Sequence, residues 1–137
     1  MKKGILIALT LAVLVIVLRP FVMDYLDLVH YNREIENLQI KSPEIAALED
    51  GEYHGMYQVY DIKARVALEI HSGKIVDIDL DHEHQRGYNA EEIAQRVMEE
   101  QSLEVDMVTG ATHSSKVILK AVEKALCNVE EASCEEP

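Results

Sequence analysis

A chain of 137 residues has room for one domain and little besides. After residue 23, 25 acids stand against ten lysines and arginines, a formal charge of −15 that argues against nucleic acid and against lying flat on anionic lipid. Cys127 and Cys134 are spaced C-x6-C, which allows a small disulfide loop in an oxidising compartment or two free thiols, and nothing else suggests a zinc site.

Residues 1–23 stand apart. Two lysines precede "GILIALTLAVLVIVL", a run with no charge and with Thr10 as its one polar side chain. Fifteen helical residues reach roughly 22 Å, short of a hydrocarbon core of about 30 Å, and continuation through Arg19 and Pro20 supplies the rest if Arg19 snorkels. A cleaved signal peptide is the competing reading, but no small-x-small site follows, so an uncleaved anchor is expected. Lys2 and Lys3 favour a cytoplasmic N-terminus, which puts residues 24–137 on the periplasmic or extracellular side.

Residues 24–49 read as a juxtamembrane helical linker. Tyr25, Leu28, Val29, Ile35 and Leu38 form an apolar helical stripe, suited to a plain spacer or to a membrane partner. Ser42-Pro43 interrupts it, and a short helical turn through Glu49 is expected.

Residues 50–127 form the domain. "GEYHGMYQVYD" carries Tyr53, Tyr57 and Val59 on one alternating phase, as core and strand residues rather than stacking partners. In "ARVALEI" the even positions Ala64, Val66, Leu68 and Ile70 are apolar, and in "KIVDIDLDH" Val76, Ile78 and Leu80 oppose Asp77, Asp79 and Asp81. Each strand then has one apolar and one wet face, as an antiparallel sheet covered by helices on one side requires. Ser72-Gly73 is the hairpin turn, with Gly73 free to take positive φ. Asn89 and Glu92 resemble a capping box for a helix whose buried stripe is Ile93, Val97 and Met98. A short extended piece over 104–108 precedes a final helix that buries Val117, Ile118, Ala121, Val122, Ala125 and Leu126. The order β-β-β-α-β-α predicts a small α+β domain, and residues 128–137 an acidic, frayed tail.

The chemistry concentrates in "DMVTGATHSSK". Gly110 lets the backbone turn and another group approach, and Ala111 keeps that space clear. Thr112 falls at or next to the helix cap, where backbone N–H groups and the positive end of the helix hold anions. A plain cap has the same features, and the Walker spacing G-x-x-x-x-G-K is absent.

"DMVTGAT" resembles the flavinylation motif D-x-x-[S/T]-G-A-T of FMN-binding domain proteins, a family that includes the flavin-bearing subunits of sodium-pumping quinone reductase and Rnf-type complexes. The likeness runs through "DGEYHG", "GKIVDIDLDH" and the stretch from 102 to 126, in the manner of the family's small single-domain branch. It implies that Thr112 carries FMN through a phosphoester bond made from FAD by a flavin transferase. Asp106 then shapes the turn by accepting backbone N–H bonds or serves transferase recognition, and Thr109 is a turn hydroxyl. Ser114 and Ser115 would offer capping and phosphate contacts, with the N–H groups of 113–115 on the phosphodiester, and His113 reads as a plain solvent-facing histidine or as a phosphate contact.

The family places residues near the flavin ring in the loop "DHEHQRGY", which makes His82, His84, Arg86, Gly87 and Tyr88 the candidates, with Arg86 suited to a reduced flavin anion. The H-x-H spacing of His82 and His84 also permits a metal, and plain surface histidines are a third reading. The resemblance as a whole implies a membrane-anchored electron carrier with a transferase for maturation and membrane or extracytoplasmic redox partners. A flavin reductase with its own substrate, or a non-redox membrane-tethered regulator, are the alternatives.

Overall fold

The structure, a computed structural model, describes residues 2–83 and 90–127, and it divides into two compact units, Met1–Glu36 and Asn37–Pro137. The first unit is one uninterrupted helix, α1 (Lys2–Glu36), with Pro20 inside it. Its 35 residues span about 50 Å at 1.5 Å per residue, and the apolar side chains of Ile5 and of Ile7 to Leu28 are exposed. It is long and apolar enough to cross a membrane.

The linker expected over 24–49 is therefore divided. Residues 24–36 continue α1, whereas 37–49 belong to the second unit and contain one 3-10 turn, Ile45–Ala47.

The second unit is α+β. Strands β1 (Gly51–Val59), β2 (Ile62–His71) and β3 (Lys74–Glu83) form an antiparallel sheet in that order. The β2–β3 turn has positive φ at both Ser72 (53°) and Gly73 (69°), the type I′ geometry that matches strand twist. Asp50 fastens it, accepting the Ser72 N–H at 2.6 Å and pairing with His71 Nδ1 at 2.8 Å. Alternation along β2 is as the sequence reads, with Ala64, Val66, Leu68 and Ile70 buried.

On β3 the alternation differs. Ile75 is buried and Val76 is exposed, because the pairing slips between Glu69–Asp77 and Ile70–Ile75 and leaves Val76 as the extra residue of a bulge. Beyond the bulge, Ile78, Leu80 and His82 return to the inner face, opposite Leu68, Val66 and Ala64. The open edge of β3 is closed at the bulge by a side chain: the Gln101 amide donates to Ile75 O and accepts from Ile75 N, both at 2.8 Å.

Helices α2 (Glu92–Glu100) and α3 (Thr112–Cys127) cover the inner face, α3 across β1 and β2, α2 beside β3. Glu91 occupies the cap position of α2 without a side-chain bond, and Asn89 of the expected capping box lies outside the described residues. Ala94 joins Ile93 and Val97 in its buried stripe, while Met98 is only half-buried. No strand forms over 104–108, so the β-β-β-α-β-α order loses its fourth strand among the described residues. Side chains rather than a ladder serve that backbone: Arg96 takes the carbonyls of Asp106 and Met107, and Ser115 Oγ takes the Val108 N–H.

The expected stripe of α3 is buried in full, and so are Leu119 and Glu123 on its other side. Residues 37–49 cover that side: Glu123 accepts the Lys41 N–H at 3.2 Å and pairs with Lys120 at 2.9 Å, while Lys120 also donates to Gln39 O. Ser42 Oγ continues the attachment by accepting the Leu103 N–H. Cys127 ends α3 and is disulfide-bonded, and Cys134 lies outside the described residues.

The helix layer meets the sheet backbone at Gly55. A Cβ there would collide with the Ala121 carbonyl oxygen and sit 2.6 Å from Ala125 N, so helix backbone rests directly on strand backbone. Neither can yield without moving α3. Gly55→Ala is expected to destabilise the domain by about 3 kcal/mol or more, lowering the melting temperature by roughly 10 °C or more. A melting curve that superimposes on wild type would rule out this seating of the helix.

Candidate functional site

The segment before α3 is built as a turn feeding a helix. Ala111 N donates to Val108 O at 3.0 Å, closing a four-residue turn, and Gly110 has φ 80°. Positive φ at the third residue alone is the type II arrangement, which calls for glycine there. A Cβ at Gly110 would meet no protein atom within 4 Å, so φ rather than crowding requires the glycine, and the space above the turn is open. The helix ladder begins at once, with Ser115 N donating to Ala111 O at 2.8 Å. Ala111 is thus the cap and Thr112 the first helical residue.

This geometry separates the hydroxyls. Thr109 and Thr112 are exposed, and neither hydroxyl bonds to protein among the described residues. Ser114 and Ser115 are buried, at 1% and 0% exposure. Ser115 Oγ accepts the Val108 N–H at 3.2 Å, tying the turn down onto the helix. The side chain of Ser115 is therefore an internal anchor, and its N–H lies in the helix ladder, so neither is presented to a phosphate as the motif suggested. Helical spacing carried the signal, since Ser115 precedes the core residues Ile118 and Val122 by three and seven positions. His113 is half-buried beside Thr112.

Asp106 is exposed, and its carboxylate accepts no hydrogen bond among the described residues; its backbone carbonyl, rather than its side chain, is engaged. The partner is Arg96, which sequence reading passed over. Its Nη1 donates to Asp106 O at 2.7 Å and reaches Met107 O at 3.5 Å, while Nη2 donates to Glu92 Oε1 at 2.7 Å, one helical turn back. The guanidinium pKa is raised above its ordinary value, first by the Glu92 hydrogen bond, against an opposing loss of solvation, and further by the charges of Glu92, Asp106 and Glu100. The i,i+4 Glu92–Arg96 pair was readable in the sequence; the loop it serves was not.

His82 is not a surface histidine. Its side chain is 3% exposed on the inner face of β3, with Nδ1 3.7 Å from Glu91 Oε1 at the start of α2. Burial follows from the bulge, which sets 78, 80 and 82 on one inward phase. His84, Arg86, Gly87 and Tyr88 lie outside the described residues.

The residues present suit a flavin phosphate at this turn. Thr112 offers an exposed hydroxyl at the positive end of a 16-residue helix, and Gly110 leaves the approach clear. Comparison with known proteins agrees. Residues 59–127, half of the chain, match the FMN-binding domain family. The fold resembles the crystal structure of the CPE2226 protein from Clostridium perfringens, with a TM-score of 0.50 and 25% identity over 64% of this chain and 93% of that one. No curated protein matches. The chain belongs to the FMN-binding domain family, and FMN is its cofactor.

Proposed function

We propose that this protein is a membrane-anchored electron carrier that holds FMN covalently on Thr112. The observation that carries the reading is the exposed Thr112 hydroxyl, first in α3 and directly behind the Val108–Ala111 turn, at the acceptor position of D-x-x-T-G-A-T. In the maturation step Thr112 Oγ bonds to the FMN phosphorus of FAD, the pyrophosphate P–O bond breaks, adenosine monophosphate leaves, and the hydroxyl proton passes to solvent. A flavin transferase catalyses this. The α3 dipole favours the phosphodiester charge by about 0.3–1 kcal/mol, and Asp106, exposed and unbonded through its carboxylate, serves transferase recognition.

Bound flavin supplies one- and two-electron redox chemistry. Anchoring by α1, with residues 37–137 on the periplasmic or extracellular side, keeps the carrier beside membrane redox partners. A covalent bond holds there a cofactor that would otherwise diffuse away. Of the ring-loop candidates, His82 is the described one, and its place under the α2 start suits shaping the ring pocket from beneath.

The full chain coexpressed with a flavin transferase should fluoresce on a denaturing gel. Thr112→Ala should be dark and Thr109→Ala should keep the signal; fluorescence retained in Thr112→Ala would sink the attachment site. For the anchor, the protein should stay with membranes through alkaline carbonate extraction. Protease added outside sealed cells should remove the second unit, and full protection of that unit would reverse the assigned orientation.

A further inference from the structure

We propose that Arg96 is a positioning residue for flavin attachment: it clamps the peptide carbonyls of Asp106 and Met107 so that the Val108–Ala111 turn is presented in one conformation to the transferase. The inference rests on Thr112 being the attachment site, and it adds a residue outside the motif that prepares it.

The need for a clamp follows from the loop itself. Residues 104–108 have no strand partner among the described residues, so their carbonyls have no ladder. Downstream, the turn is fixed from α3 by the buried Ser115 hydroxyl on Val108 N and by the Ala111 N–H on Val108 O. Upstream, the bonds that fix it come from α2, through Arg96 on Asp106 O and Met107 O. The two helices grip the loop on either side of one peptide unit. With both in place, the φ of 80° at Gly110 and the start of α3 at Thr112 are set relative to the sheet; with one released, the loop hinges at Met107.

Arginine suits the task. One nitrogen faces the carbonyls while the other is held by Glu92 in the same plane, and a lysine has a single nitrogen for both. Asp106 belongs to the arrangement twice, as a clamped carbonyl and as an exposed carboxylate whose charge falls on the same guanidinium. Fixing the backbone at 106 therefore also fixes the direction in which the motif's acid is offered.

A clamp of this kind acts on the fraction of molecules with a competent loop. A transferase that binds only that fraction sees its apparent affinity reduced in proportion, with turnover at saturation preserved. The test uses the full chain in detergent micelles with purified flavin transferase and FAD, comparing wild type, Arg96→Met, Arg96→Lys and Glu92→Gln.

Arg96→Met is expected to raise the transferase KM for the protein at least 10-fold with kcat within about 2-fold, and Arg96→Lys and Glu92→Gln should fall between it and wild type. Hydrogen exchange on the flavin-free chain gives a second readout. The Val108 and Ala111 amides should lose at least about 10-fold of their protection in Arg96→Met, while β2 amides exchange as in wild type. If Arg96→Met fails to fold, Glu92→Gln decides on the same two readouts. Wild-type KM together with wild-type exchange at 108 and 111 overturns the proposal, as does a loss confined to kcat. No covalent flavin on wild type would overturn the Thr112 reading instead, and the exchange data on the flavin-free chain would still judge the clamp.

Discussion

Everything at the proposed site is referred to one contact, the seating of α3 on β1 at Gly55. Backbone meets backbone there, with Ala121 and Ala125 above a position that has no side chain. A helix on a sheet ordinarily rides on a layer of side chains, which can repack when one of them changes. Here the spacing is set by main-chain atoms, so the axis of α3 is fixed in height as well as direction. Thr112 lies nine residues before Ala121 on the same helix, and about 13 Å of rigid rod carries that fixed height to the attachment end. The strap formed by residues 37–49 presses from the other side, through the buried Glu123 carboxylate and the backbone of Lys41. That carboxylate is costly to bury and is held by Lys120 and a peptide N–H together; such groups define one register for the strap better than they add stability.

The parts of this fold legible in the sequence were those whose partners are near in the chain. Alternation in β2, the Ser72-Gly73 turn and the α3 stripe all follow from periodicity and local turn chemistry. What escaped reading depended on long-range partners. Val76 looked like an inward residue because alternation assumes an unbroken register, and a bulge is visible only once Glu69 and Ile70 are known to face 77 and 75. Residues 104–108 read as an extended piece and so as a strand; the side chains that replace a ladder lie up to 11 residues away in sequence. Leu119 and Glu123 lie outside the α3 stripe that periodicity marks, and the strap is what buries them.

The site divides in the same way. The motif singled out Thr112, yet its hydroxyl neighbours could not be sorted without the helix phase, which turns Ser114 and Ser115 inward and leaves Thr109 and Thr112 outside. Arg96 carries no motif of its own. It was visible only as half of an i,i+4 pair with Glu92, a feature shared with solvated helix faces everywhere. Its importance lies in the other nitrogen, which reaches across to a loop ten residues on.

Charge remains to be reconciled. Residues 24–137 carry a formal −15, and the phosphodiester proposed on Thr112 would add another negative charge. Bulk repulsion is weak at this range, because exposed charges more than about 8 Å apart are screened at physiological salt. The local field decides. The turn has the positive end of α3, with Lys116 one helical turn beyond Thr112, while the Arg96 guanidinium is shared between Glu92 and the Asp106 carbonyl. The dipole at such a helix end is worth about 1 kcal/mol to a phosphate. That is too little to retain a cofactor in an open compartment. On the proposed reading the covalent bond supplies the retention that the helix end alone does not, while Arg96 serves the loop that leads to it.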